Sequence, residues 1–208
     1  TGKRPKLIGT DLDGTIVAHY GFISERTKIA FTAAHEAGIH IYFVTGRPIR
    51  WMSEIKENFN FGTGICANGA MLYDFINQKV LEQWLFSPES QLETVKRLRE
   101  VIPLVNFAVE IDEQFHREKD YLARWDIGID NVGVNKIEEV INKPALKMLA
   151  RCGDASMSSD EMMSVATKAL VGIATVTHSN STDSLLEISA DGVSKGATLS
   201  KIAARHGL

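Results

Sequence analysis

Two carboxylates one residue apart close the apolar run Leu7-Ile8-Gly9-Thr10-Asp11-Leu12-Asp13-Gly14-Thr15, and the chemistry of the chain is expected there. Ile8 to Leu12 reads as a buried strand, and Gly14 lets the chain turn away sharply behind it. Side chains at i and i+2 of a strand share a side, so Asp11 and Asp13 can face one small space. Taken alone, Asp-Leu-Asp-Gly is better read as a polar turn after a strand. The rest of the chain has to decide, through Thr45-Gly46-Arg47 behind a second apolar run and Lys195 at the amino end of the last helix.

The elements that must position these residues alternate at first. A strand to Asp11 precedes a helix from about Glu25 to Ala37, a strand from Ile39 to Val44, a helix after Pro48 and a short strand near Ile65. Ser24 is a suitable N-cap and Gly38 a stop; Ile29, Ala33 and Ala37 form the stripe expected to pack flat on the sheet. In an open parallel sheet ligands sit beyond the carboxyl ends of the strands, so Asp11, Asp13 and Thr45-Gly46-Arg47 would meet on one edge.

After Ala67-Asn68-Gly69-Ala70 the pattern changes to segments that suit hairpins, Met71 to Asp74 and Val80 to Phe86. Ser87-Pro88 opens a helix with Leu92, Val95, Leu98 and Ile102 as its stripe and Pro103 as its end. Strands follow at Asn106 to Ile111, Gln114 to Arg117, Ala145 to Ala150, Ile173 to Thr177 and Leu185 to Ile188. A short helix fits Lys136 to Asn142, a capping box at Ser158 and Glu161 opens another helix, and Tyr121 to Val134 has no clear pattern. The last helix runs from about Ser194 to His206. An α/β core over residues 1–84 and 190–208 is therefore expected, interrupted by an α+β domain over 85–189.

Composition narrows the classes. The chain has 208 residues, 44% hydrophobic and 24% charged, enough for a real core. A net charge of -3 gives no footprint for nucleic acid or an anionic membrane. Cys66 and Cys152 lie far apart, which argues against a zinc site or disulfide framework and suits the cytoplasm; both are expected to be buried thiols. Pro103 and Asn106 break the apolar run from Val101 to Val109, and Lys3-Arg4-Pro5-Lys6 leads into a strand rather than a signal-peptide core. Oligomeric state is left open.

Together, Asp11-Leu12-Asp13-Gly14-Thr15, Phe43-Val44-Thr45-Gly46-Arg47 and Gly192-Val193-Ser194-Lys195-Gly196 resemble the haloacid dehalogenase superfamily of phosphohydrolases. With Ala67-Asn68-Gly69-Ala70 and a large insert, the chain is similar to the Cof-type (subfamily IIB) phosphatases with a type-2 cap. The resemblance implies a Rossmann-like parallel-sheet core and Mg²⁺-dependent hydrolysis of a small phosphorylated metabolite, of the sugar or polyol phosphate kind. Asp11 matches the nucleophile that becomes an aspartyl phosphate, and Asp13 the acid/base. Thr45 would offer its hydroxyl and backbone N–H to the phosphoryl oxygens, and Lys195 would offset their charge. Asp11 and the carbonyl of Asp13 would hold Mg²⁺. Gly46, Arg47 and Asn68 are candidate substrate contacts; Gly46 and Asn68 read equally as loop-shaping residues and Arg47 as a salt-bridge brace.

His19 and Tyr20 read as flap surface, and His116, Arg117, Lys119, Tyr121 and Arg124 as a solvated face of the cap, with substrate contact the alternative for both groups. The family's fourth motif, an acidic pair after the lysine helix, is not found before Leu208. Gly153-Asp154 with Asp160 copies its spacing inside the insert, ahead of a capped helix, and is rejected as the metal site. The core is accordingly expected to be incomplete, the 208 residues to be most of a longer protein, and activity of this form alone to be impaired. The competing functions are a phosphotransferase or mutase using the same nucleophile, and a non-catalytic binding protein on the same scaffold.

Overall fold

Three apolar runs pair in parallel as β1 (Leu7–Asp11), β2 (His40–Val44) and β3 (Thr63–Cys66), with Asp11 opposite Val44 and Val44 opposite Ile65. Their carboxyl ends therefore form one edge. This computed structural model describes residues 4–18, 21–123 and 127–208, so the expectations for His19, Tyr20 and Arg124 lie outside the described residues. Two further strands, β4 (Met71–Asp74) and β5 (Lys79–Gln83), extend the sheet antiparallel, giving the order β1-β2-β3-β4-β5. The turn between them is held by the Asp74 carboxylate, which accepts from Ile76 and Asn77 N–H.

Helix α1 (Glu25–Glu36) starts where Ser24 accepts from Thr27 N–H, a cap worth about 1 kcal/mol. It does not pack as its Ile29-Ala33-Ala37 stripe predicts. Ile29 is 62% exposed, and the partly buried positions are Thr27, Lys28, Phe31 and Ala34. Phe31 stacks over Phe43 with centroids 6.2 Å apart and meets Phe59 at 6.0 Å, so one aromatic ring outweighs an alanine-rich stripe in setting the helix rotation. The short α2 (Ser53–Asn58) follows a one-turn helix at Ile49–Trp51 and buries Ile55.

Residues Leu85–Gly192 form a second compact unit, and Thr1–Trp84 with Val193–Leu208 the first. In the second, β6 (Val105–Ile111), β7 (Gln114–Arg117), β8 (Lys147–Cys152), β9 (Ala174–Thr177) and β10 (Leu185–Ala190) form an antiparallel sheet in the order β7-β6-β8-β10-β9. Alternate residues such as Phe107, Val109, Met148 and Ile188 make one apolar face with Val95 and Leu98 of α3 (Pro88–Val101) and Met162 of α4 (Ser159–Ala169). Leu92, expected in the α3 stripe, is exposed. The helix expected over 136–142 is one turn, Ile137–Glu139.

The basic and aromatic stretch is not a solvated face as a whole. Arg117 donates to the carbonyls of Glu118, Lys119 and Asn131, and Tyr121 is buried beside Ala108 and Leu149, which pushes its phenol up to about 12. Asp154 accepts from the Cys152 thiol and Ser156, a local turn. Cys66 and Cys152 are buried thiols, and burial pushes Cys66 up to about 12.

The chain re-enters the first unit with α5 (Lys195–Arg205), capped by Ser194, whose hydroxyl accepts from Ala197 N–H. Ile202 and Leu199 pack against Tyr42, Val44, Ile65 and Leu72, covering one face of the first sheet. Among the described residues no helix is long and apolar enough to cross a membrane.

Candidate active site

Asp11 ends β1, and the chain behind it coils tightly. The Leu12 carbonyl accepts from the N–H groups of Thr15, Ile16 and Val17 at 2.9–3.1 Å, and Gly14 N–H donates to Val17 O. Gly14 has φ +72°, a conformation with a penalty for most side chains. Leu12 is buried beneath the turn, leaving Asp13 outward and 61% exposed.

Beside this turn, β2 ends in Thr45. Its N–H is committed to Ile65 O at 2.9 Å, which corrects the expectation that it is free to bind a ligand: one more rung of parallel pairing uses it. The Thr45 side chain is buried, and its Oγ1 accepts from Arg47 N–H at 3.1 Å, which leaves the hydroxyl proton to donate.

A left-handed turn at Ala67–Gly69 joins these pieces. Ala67, Asn68 and Gly69 have φ of 49°, 58° and 102°; Ala67 N–H donates to Arg47 O and Asn68 N–H to Thr45 O. The Gly69 carbonyl accepts from the buried Thr198 hydroxyl at 2.9 Å, pinning α5. Asn68 is buried in this turn and Gly46 lies in the adjoining loop.

Pinned in this way, α5 presents Lys195 at its first position, with Nζ 2.9 Å from Asp11 Oδ1 across 184 residues of sequence. Both side chains stay open to solvent, at 41% and 45% exposure. Arg47 reaches Asp13 instead: Nε donates to both carboxylate oxygens at 3.1 and 3.0 Å and Nη2 to Oδ1, while Nη1 donates to Glu54 Oε2 at 2.9 Å and Trp51 O at 3.3 Å. The hydrogen bond to Asp13 raises the Arg47 pKa above its ordinary value, against the opposing effect of burial.

The structure thus brings Asp11 to Lys195, Asp13 to Arg47, and the backbones of Thr45, Arg47 and Asn68 into one network. Glu54 and Thr198 were missed. For Glu54 the sequence offers only a spacing of seven from Arg47 across Pro48, and for Thr198 nothing beyond its place one turn after Lys195. Among the described residues no three His, Cys, Asp or Glu side chains cluster as metal ligands. Asp11 Oδ2 and the Asp13 carbonyl, which takes no backbone hydrogen bond among the described residues, are hard oxygen donors that suit Mg²⁺, an ion that keeps several waters.

Comparison with known proteins gives the family. The model of the haloacid dehalogenase-like hydrolases matches residues 8–208. Two 5-amino-6-(5-phospho-D-ribitylamino)uracil phosphatases of Bacillus subtilis (strain 168) are 31% identical over 70 residues and 27% identical over 154, covering 33% and 70% of this chain. The matched stretches span 28% and 56% of those relatives. A solved phosphatase of the same superfamily from Bacteroides thetaiotaomicron shares the fold with a TM-score of 0.76 at 19% identity, over 98% of this chain and 74% of that one. The chain belongs to the haloacid dehalogenase-like hydrolases.

Proposed function

We propose that this protein is a phosphatase that hydrolyses a small phosphomonoester, of the sugar or polyol phosphate class, by way of an aspartyl phosphate on Asp11. The observation that carries the reading is the 2.9 Å contact of Lys195 with Asp11 at the edge where Asp13 and Thr45 also lie. A carboxylate and an ammonium from opposite ends of the sequence meet where an open α/β sheet binds its ligand.

Asp11 attacks phosphorus in line and the bond to the leaving oxygen breaks, with Asp13 supplying the proton that oxygen needs. Asp13 then takes a proton from the water that attacks the phosphoryl group, which releases phosphate and restores Asp11. Thr45 Oγ donates to a phosphoryl oxygen and Lys195 offsets the charge that builds there. Mg²⁺, used generally in this family, would be held by Asp11 and the Asp13 carbonyl and supplies the positive charge that lets an anionic carboxylate approach an anionic phosphate. Gly46 and Asn68 shape the loop around the phosphoryl group. The substrate class rests on the Cof-type resemblance and on relatives named as phosphatases of a phosphorylated ribitylamino compound; residues 85–189 are the cap that would choose among such substrates.

The test is release of inorganic phosphate from a panel of sugar and polyol phosphates by the full-length protein with Mg²⁺. Release without an added acceptor, lost in Asp11→Asn, is the expected result and separates hydrolysis from transfer. No release from any member of the panel overturns the proposal.

A further inference from the structure

We infer that Glu54 is a positioning residue for proton transfer, fixing through Arg47 the carboxylate of Asp13. The inference rests on the phosphatase reading and assigns the geometry of one of its steps to a residue that makes no contact with the reacting atoms.

Asp13 stands on a tight turn at 61% side-chain exposure, and among the described residues its carboxylate accepts hydrogen bonds from Arg47 alone. A short carboxylate on two rotatable bonds samples several positions unless something packed holds it. Arg47 and Glu54 are the packed pair, at 20% and 22% exposure. The guanidinium is planar and its donors are fixed in a fork, so fixing one edge fixes the others. Glu54 Oε2 and Trp51 O take the Nη1 edge, which turns the Nε and Nη2 edge toward Asp13. Glu54 is carried on α2, where its backbone carbonyl accepts from Asn58 Nδ2 at 2.7 Å, and its Oε1 lies close to Gly21, where an added Cβ would come within 3.4 Å.

Arg47 approaches Asp13 from one side only. A carboxylate has about four lone-pair sites, so the outward ones remain for the proton that is moved. In the first step that proton passes from the Asp13 carboxyl to the departing alkoxide oxygen, leaving Asp13 as carboxylate and the phosphoryl group on Asp11. An alkyl phosphate requires this proton because an alkoxide is a poor leaving group, whereas a nitrophenolate departs without it.

The leaving-group requirement provides the test. In the full-length protein, kcat/KM is measured for p-nitrophenyl phosphate and for a sugar phosphate in the parent, Glu54→Ala and Glu54→Gln. This constant covers events up to phosphoryl transfer, and the ratio of the two substrates on one sample is independent of how much of it is folded. Expected is a fall in the sugar-to-nitrophenyl ratio of roughly tenfold or more for Glu54→Ala, the order of loss that misplacement of a reacting group produces. Glu54→Gln keeps an acceptor for Nη1 and should restore part of the ratio. An unchanged ratio in Glu54→Ala, with the parent active on both substrates, overturns the positioning role and leaves the phosphatase reading standing. A parent that releases phosphate from neither overturns the phosphatase reading, and the inference with it.

Discussion

In the first unit the charged residues at the sheet's edge keep much of their hydration, as at Asp11, Asp13 and Lys195, whereas in the second unit Glu110, Glu118, Lys147 and Arg151 are only 2% to 6% exposed. Burying a charge costs several kcal/mol unless it is paired and hydrogen-bonded. The second unit meets that cost with partners: Glu118 accepts from Phe107 N–H and Ile137 N–H, both at 2.9 Å, and from Arg99 at 2.7 Å. Lys147 lies opposite Glu110 in the β6–β8 register and 3.4 Å from Glu187. Charges at the first site therefore stay within reach of a ligand from solvent, and those in the second unit are bound up with folding.

The largest effect that sharpens this contrast is Asp11→Asn. On the proposed mechanism phosphate release should fall on the order of a thousandfold or more, because no other group would replace Asp11 as nucleophile. Its denaturation midpoint should stay at the parent's value, since the side chain is half in water and its ion pair with Lys195 is exposed. A clear loss of stability here would break the comparison. Glu118→Ala should do the reverse, costing about 3 kcal/mol in urea unfolding by leaving two buried N–H groups without their acceptor and Arg99 with Glu138 in place of two carboxylates. Glu118→Gln, which keeps an acceptor oxygen, should cost less.

Gly69 sits where the two kinds of effect meet. A Cβ there would stand 2.4 Å from Ser194 O and 2.9 Å from Thr198 Oγ1, and its φ of +102° disfavours any side chain. Gly69→Ala should cost about 1–3 kcal/mol and also lower phosphate release, because the backbone it pushes carries Lys195. Unfolding and turnover measured on one preparation check both; unchanged turnover would show that α5 can shift without moving Lys195 from Asp11.

Much of the site was legible because it depends on strand order. The parallel alternation and the positions of Asp11 and Thr45 at strand ends place those residues together before any contact is known. Lys195 needed the family resemblance as well, since a lysine opening a helix is ordinary. Glu54 was illegible because its role depends on the orientation of one guanidinium, and the rotation of α1 because Phe31 outweighs Ile29 only once Phe43 and Phe59 are in place. In the second unit, alternation puts Lys147 and Arg151 on one strand face but cannot say that this face is covered by Tyr121 and its neighbours. Periodicity reports which residues share a side, not which side stays wet.

The smallest effect tests whether a partly exposed titratable group in the first unit contributes to stability at all. At the end of α5 the His206 ring stacks on His40 with centroids 4.0 Å apart, and its Nε2 is 2.9 Å from the Tyr42 hydroxyl. Desolvation, and then the charge of His40, hold the His206 imidazole below its ordinary value. Arg205, the other cation at this corner, is ion-paired with Glu82. The unfolded chain therefore takes up the proton more readily than the folded one. The contribution is fully present above about pH 6.5 and is lost as pH falls through the lowered value. Urea midpoints of the parent should decline between about pH 8 and pH 5 more steeply than those of His206→Gln, by less than the Gly69 effect because solvent screens the pair. Parallel declines would mean that protonation of His206 leaves the seating of α5 unchanged, and that even paired titratable groups in this unit carry little of its stability.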